Sequence, residues 1–170
     1  MSPSPPPDTR AVAAVSALRA RGWTLATAES LTAGLLSATV AEVPGASLVL
    51  RGGLVVYATD LKHELAGVPE EMLARHGAVS GETARALAAG AARRCGADVG
   101  VGLTGVAGPD GQEGRAVGTV HLGVCTPGVE PWSVELSLDG DRGAIRRGAC
   151  AAALELLVRV ADGAGNESGT

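Results

Sequence analysis

WTLATAESLTAGLLSATVAEV (residues 23–43) changes character at Ser30. Residues 23–28 read as a short apolar strand, and residues 31–43 as a helix stopped by Pro44 and Gly45. Upstream, Thr9 is placed to cap a helix whose Ala11, Val12, Val15 and Leu18 recur at three- and four-residue spacing until Gly22 ends it. Downstream, SLVLRGGLVVY (residues 47–57) becomes a good β run in its second half, and a short helix from Thr59 or Asp60 to Ala66 carries Lys62. Further helices are expected near residues 70–75 and 81–94. ADVGVGLTG (residues 97–105) reads as a buried strand that breaks into the loop VAGPDGQEGRA, and strands resume at 118–125 and about 132–138. A last helix starts near Gly140 or Asp141 and ends before Gly163. Helices and strands alternate at first, and three strands then follow one another without helical crossovers. The pattern predicts an α/β fold, a three-layer α/β/α sandwich with a mixed, partly parallel sheet. One domain over residues 9–162 is expected, between a disordered Pro-rich stretch at 1–8 and a disordered tail at 163–170.

Composition narrows the function classes. With 170 residues, 46% apolar, and a net charge of -4 without a Lys/Arg block, the chain suits one compact domain that binds neither nucleic acid nor an anionic membrane. No apolar run reaches the roughly 18 to 20 residues of a membrane span, and the N-terminus lacks the pattern of a secretory signal, so a cytoplasmic location is expected. Cys95, Cys125 and Cys150 have the odd number and wide spacing of free thiols. Of the 14 basic residues only Lys62 is a lysine, and Tyr57 is the single tyrosine. In a chain that otherwise uses arginine for positive charge, the lone lysine is a candidate for something arginine cannot do, such as losing its proton.

Several groups stand out as candidates, each with a plainer reading beside it. Ser30 follows a strand at the expected first turn of a helix, where unpaired N–H groups can stabilise an oxyanion; an ordinary N-cap serine fits the same octapeptide. Glu29 could orient a substrate amide or be a solvated carboxylate. Lys62 could act as the base that a serine nucleophile needs, with Tyr57 beside it holding or relaying a proton, or be a solvated helix residue. Thr104 and the glycine-rich turn after it, with Gly105 and Gly108, could grip phosphate or carboxylate oxygens, or serve turn geometry alone. GVGLTG (residues 100–105) matches GxGxxG formally, but no helix follows its third glycine, so a dinucleotide site is not expected. Arg142 and Arg146 share a face at the start of the last helix, where the macrodipole is already positive. They call for an anion, either Asp139 and Asp141 or a substrate phosphate. The histidines show no metal-ligand spacing, and no metal is expected.

Taken together, TAESLTAG, GGLVVYATDLKHELAGV, HGAVSGETA, TGVAGPDG with VGTV, and DGDRGAIRR resemble the CinA C-terminal domain family, the nicotinamide-nucleotide amidohydrolases of PncC type. The likeness covers about residues 10–160. It implies an α/β/α fold and hydrolysis of the carboxamide of nicotinamide mononucleotide to nicotinic acid mononucleotide and ammonia, with no cofactor. It also implies Ser30 as nucleophile, Lys62 as general base, Tyr57 as their assistant, and Arg142 as an active-site arginine. The expected substrate-binding set is Glu29, Thr32, Thr104, Gly105, Gly108, Arg142 and Arg146, of which the resemblance implies Thr104, the loop after it and Arg142. The family usually has Cys-Thr-Gly-Gly after the serine, where this chain has Leu31, Thr32, Ala33 and Gly34. The pyrophosphatase activity of longer members, which belongs to a separate N-terminal domain, is not expected here. The expected partner is a small-molecule nucleotide, and a homo-oligomer is expected for a small apolar-rich domain of this kind. The alternatives are a non-catalytic nucleotide-binding or competence- or stress-associated interaction module of the same fold, and an amidase for another small carboxamide.

Overall fold

A computed structural model describes residues 5–164. Five strands, β1 (Leu25–Glu29), β2 (Leu50–Val55), β3 (Val99–Gly105), β4 (Thr119–Thr126) and β5 (Val129–Ser137), form one sheet in the order β2-β1-β3-β4-β5. β1 runs parallel to β2 and β3, while β3–β4 and β4–β5 are antiparallel. The helices are α1 (Thr9–Arg21), α2 (Leu35–Ala41), α3 (Thr59–Glu64), α4 (Glu70–His76), α5 (Gly81–Cys95) and α6 (Arg142–Ala161). The expected mixed α/β/α sandwich is therefore the observed one.

The two faces of the sheet are packed by different chemistry. Leu25, Val99, Val101, Leu103, Val120, Leu122 and Val124 point to one side, into a core with α1, α2 and α6. The alternate positions are small. A Cβ on Gly100 would lie 1.9 Å from the Ala88 carbonyl oxygen of α5, and one on Gly123 would lie 2.0 Å from that of Ala84. These glycines let the alanine-rich α5 lie directly on the strands, which explains GVGLTG without a nucleotide. α3 and α4 complete that side, where Ala26, Ala28, Val56, Ala66, Val68, Leu87 and Ala91 form a second cluster.

Three boundaries differ from the sequence reading. Asp8, not Thr9, caps α1, its carboxylate accepting from Arg10 N at 2.7 Å. The 3-10 turn Ala46–Leu48 occupies the start of the segment read as β, so β2 begins at Leu50. Most consequential, α2 starts at Leu35 and not at residue 31, because Ala33 (φ 49°) and Gly34 (φ 93°) take left-handed conformations that no helix continues through. Residues 1–4 of the expected N-terminal stretch and 165–170 of the expected tail lie outside the described residues. The three cysteines are free, and burial pushes the Cys150 thiol up to about 12. Among the described residues, no helix is long and apolar enough to cross a membrane.

Candidate active site

Ser30 stands one residue past β1, in the middle of the sheet, its N–H bonded to Leu103 O at 2.9 Å. Val56 N binds Glu29 O at 2.9 Å, so the chain leaving β2 passes beside the serine. There the ladder ends and leaves the Val56 and Tyr57 carbonyls without sheet partners. α3 opens two residues later and turns Lys62 back onto them. Lys62 Nζ lies 2.8 Å from Val56 O, 3.2 Å from Tyr57 O and 3.0 Å from Ser30 Oγ. At 1% exposure Lys62 is not the solvated helix residue that its sequence position allowed. Burial pulls its amine down to about 8, against the nearby carboxylates of Glu113 and Asp60, which hold it up. About a tenth of it is then neutral at pH 7. In that form two N–H groups suffice for the two carbonyls, which leaves one lone pair with which the amine can accept from the serine hydroxyl.

The turn from Ser30 to Gly34 is held from both sides. Ala33 N binds Ser30 O at 3.0 Å, and Leu35 N binds Thr32 O at 3.0 Å. Arg146, from the second turn of α6, donates from Nε to Leu31 O at 2.9 Å and from Nη2 to Thr32 O at 3.0 Å. Below the turn, the buried Glu29 carboxylate accepts from Leu36 N at 2.8 Å, Ser37 N at 3.1 Å and Thr27 Oγ1 at 3.1 Å.

These contacts correct three of the expected substrate-binding assignments. Glu29 is spent on the N-terminal N–H groups of α2, Arg146 on backbone carbonyls, and the fully buried Thr32 lies beneath the turn with its hydroxyl unpartnered. None of the three lines the cleft above Ser30. Because Glu29 occupies the first turn of α2, the free backbone donors near the serine are in the turn itself. The N–H groups of Leu31 and Thr32 have no hydrogen-bond partner among the described residues.

A model of the CinA C-terminal domain matches residues 8–161. The chain belongs to the CinA C-terminal domain family. It is 49% identical over 151 residues to a CinA-like protein of Frankia casuarinae, covering 88% of this chain and 34% of the relative. A CinA-like protein of Anaeromyxobacter sp. is 50% identical over 145 residues, covering 84% of this chain and 35% of the relative. The chain thus spans about a third of the length of the curated relatives it matches. Among solved structures, a competence-damaged protein (CinA) superfamily protein from Klebsiella pneumoniae superposes with a TM-score of 0.87 at 30% identity, covering 91% of this chain and 96% of the other. The competence/damage inducible protein CihA from Agrobacterium tumefaciens gives 0.84 at 34% identity, covering 94% and 99%.

In this CinA domain a cleft opens over Ser30 and Lys62. Tyr57, Thr104, Gly105, Gly108 and Arg142, all expected near the site, line it together with Thr59, Ala78, Val79, Asp110 and Gln112. Tyr57 contributes differently from the expectation. Its carbonyl holds Lys62, while its phenol, in a residue 54% exposed, accepts from Arg142 Nη2 at 2.5 Å. Neither Lys62 nor Ser30 is hydrogen-bonded to that hydroxyl.

Arg142 also donates from Nη1 to Gly108 O at 2.7 Å, which leaves three of its five N–H donors for a ligand. Among the described residues neither Arg142 nor Arg146 pairs with Asp139 or Asp141. Asp141 instead caps α6 through Ala144 N at 2.8 Å. Thr104 Oγ1 donates to Ala78 O at 2.6 Å and so ties β3 to the turn before α5. The HGAVSGETA motif carried no role in the sequence reading; its Ala78 and Val79 prove to be a wall of the cleft.

Proposed function

We propose that this CinA domain hydrolyses the carboxamide of nicotinamide mononucleotide to nicotinic acid mononucleotide and ammonia through an acyl intermediate on Ser30. The observation that carries the reading is the 3.0 Å contact between Ser30 Oγ and the buried Lys62 amine at the floor of a cleft. Neutral Lys62 takes the hydroxyl proton as Ser30 Oγ attacks the amide carbon. The charge that develops on the amide oxygen falls to the N–H of Leu31, which borders the cleft and has no hydrogen-bond partner among the described residues. The tetrahedral species collapses as the C–N bond breaks, and the Lys62 ammonium gives its proton to the departing nitrogen, releasing ammonia. Neutral Lys62 then activates water against the ester, and nicotinic acid mononucleotide leaves with Ser30 restored. The free donors of Arg142 suit the 5′-phosphate, because among the described residues no carboxylate forms a salt bridge with that guanidinium.

Ammonia release from nicotinamide mononucleotide, nicotinamide riboside and nicotinamide tests the proposal. The mononucleotide is expected to turn over fastest. Ammonia at blank level from all three overturns the amidase reading, and equal rates with mononucleotide and riboside overturn the phosphate role of Arg142.

A further inference from the structure

The loop between β3 and β4 closes one side of the cleft, and its outer turn is fastened to the turn before α5. Gln112 and Arg115 exchange backbone hydrogen bonds of 3.1 and 2.8 Å, making a tight turn whose tip is Glu113 and Gly114. The tip holds Glu113 at φ 51°, a left-handed conformation unusual for a side chain of that size. Its carboxylate reaches over to the turn before α5, where Oε1 accepts from Ala78 N and Oε2 from Val79 N, both at 3.1 Å. Gly77 makes room for it. A Cβ there would lie 2.5 Å from Glu113 Oε2, and the φ of 81° at Gly77 is itself a glycine conformation. The same turn is gripped from beneath by Thr104 through Ala78 O. Two walls of the cleft, Ala78–Val79 and the loop bearing Gly108, Asp110 and Gln112, are thus joined through one carboxylate.

We propose that Glu113 is a positioning residue, whose carboxylate fastens the 106–118 loop to the turn before α5 and thereby fixes the Gly108 carbonyl that orients Arg142. This rests on the amidase reading for its kinetic consequences but not for its structural one. Glu113 also brings a negative charge to Lys62 from outside its helix. The carboxylates acting on that amine are Glu113 from the loop and Asp60 from α3, while Arg142 and Asp110 border the same cleft.

Two variants separate the fastening from the charge. Glu113→Gln removes the charge and replaces one acceptor by a donor. Glu113→Asp keeps the charge but is one methylene too short to reach both N–H groups. In Glu113→Gln, KM for nicotinamide mononucleotide is expected to rise about tenfold, with kcat changed far less. The ascending limb of its pH–rate profile should move to lower pH, since a charge favouring the Lys62 ammonium is gone. In Glu113→Asp the KM rise should persist while the limb stays near its wild-type position. Trypsin cleavage after Arg115, at the exposed end of the same turn, should quicken at least several-fold in both variants, whatever the catalytic activity. Wild-type KM, an unmoved pH limb and wild-type cleavage rates in both variants overturn the proposal. If the wild-type protein releases no ammonia, the amidase reading falls and cleavage at Arg115 alone decides the fastening.

Discussion

Replacing Lys62 by methionine should alter how stability depends on pH, because the fold carries a buried amine at a cost. In the unfolded chain the amine titrates near 10.5, whereas in the folded protein burial brings it to about 8. A lowered folded value means that the unfolded chain binds the extra proton between those two pH values. Stability from this group is therefore full above about 10.5, falls as pH drops toward 8, and is flat below. The whole interval corresponds to about 3 kcal/mol, of which about 2 kcal/mol lies between pH 7.5 and 10. Methionine has nearly the same length, fills the same space and cannot titrate. Urea unfolding of wild type and Lys62→Met across that pH range, under reducing conditions, isolates the contribution, since every other titrating group is common to both. The wild type should gain about 2 kcal/mol on the variant as pH rises from 7.5 to 10. A difference between the two that stays constant to within about 0.5 kcal/mol would mean that Lys62 keeps its proton throughout and cannot serve as the base.

Three other substitutions test separate parts of the structure. Arg142→Ala should raise KM for nicotinamide mononucleotide roughly tenfold to a hundredfold and leave riboside kinetics unchanged in steady-state assays; equal effects on both substrates would remove its link to the phosphate. Arg146→Ala frees the Leu31 and Thr32 carbonyls and should lower kcat about tenfold to a hundredfold at near-constant KM. A higher KM at unchanged kcat would return Arg146 to substrate binding. Gly102→Ala drives a methyl to 2.4 Å from the Ala84 carbonyl oxygen, and about 1–3 kcal/mol of stability should be lost in urea unfolding. An unaffected midpoint would mean that α5 can move off the sheet.

The layers of the fold were legible because periodicity and punctuation carry them. β3 alternates valine with glycine, α6 repeats its apolar face, and Gly22 and Pro44 mark stops, all local properties of the chain. Ser30 and Lys62 were legible for different reasons, the serine from its strand-to-helix junction and the lysine from being the chain's single one. What remained hidden was the use of side chains over long separations. Glu29 reads as a carboxylate beside a nucleophile, yet a delayed helix start puts it under the N–H groups of Leu36 and Ser37. Arg146 reads as an anion binder, yet it reaches Leu31 and Thr32 more than a hundred residues away. Tyr57 was placed near Lys62 correctly, but only its carbonyl is used there, a distinction that sequence spacing does not contain. Glu113 carried no signal at all, since an acidic residue in a polar glycine-rich loop is the commonest of solvated positions.

The Ser30–Lys62 pair is tested most directly by initial rates of ammonia release from nicotinamide mononucleotide, measured at saturating substrate for wild type and Ser30→Ala side by side. Removing Oγ takes away the atom proposed to attack the amide carbon and should slow release by about a thousandfold or more, with the fold intact. A Ser30→Ala enzyme that still releases ammonia within tenfold of the wild-type rate would contradict nucleophilic attack by Ser30.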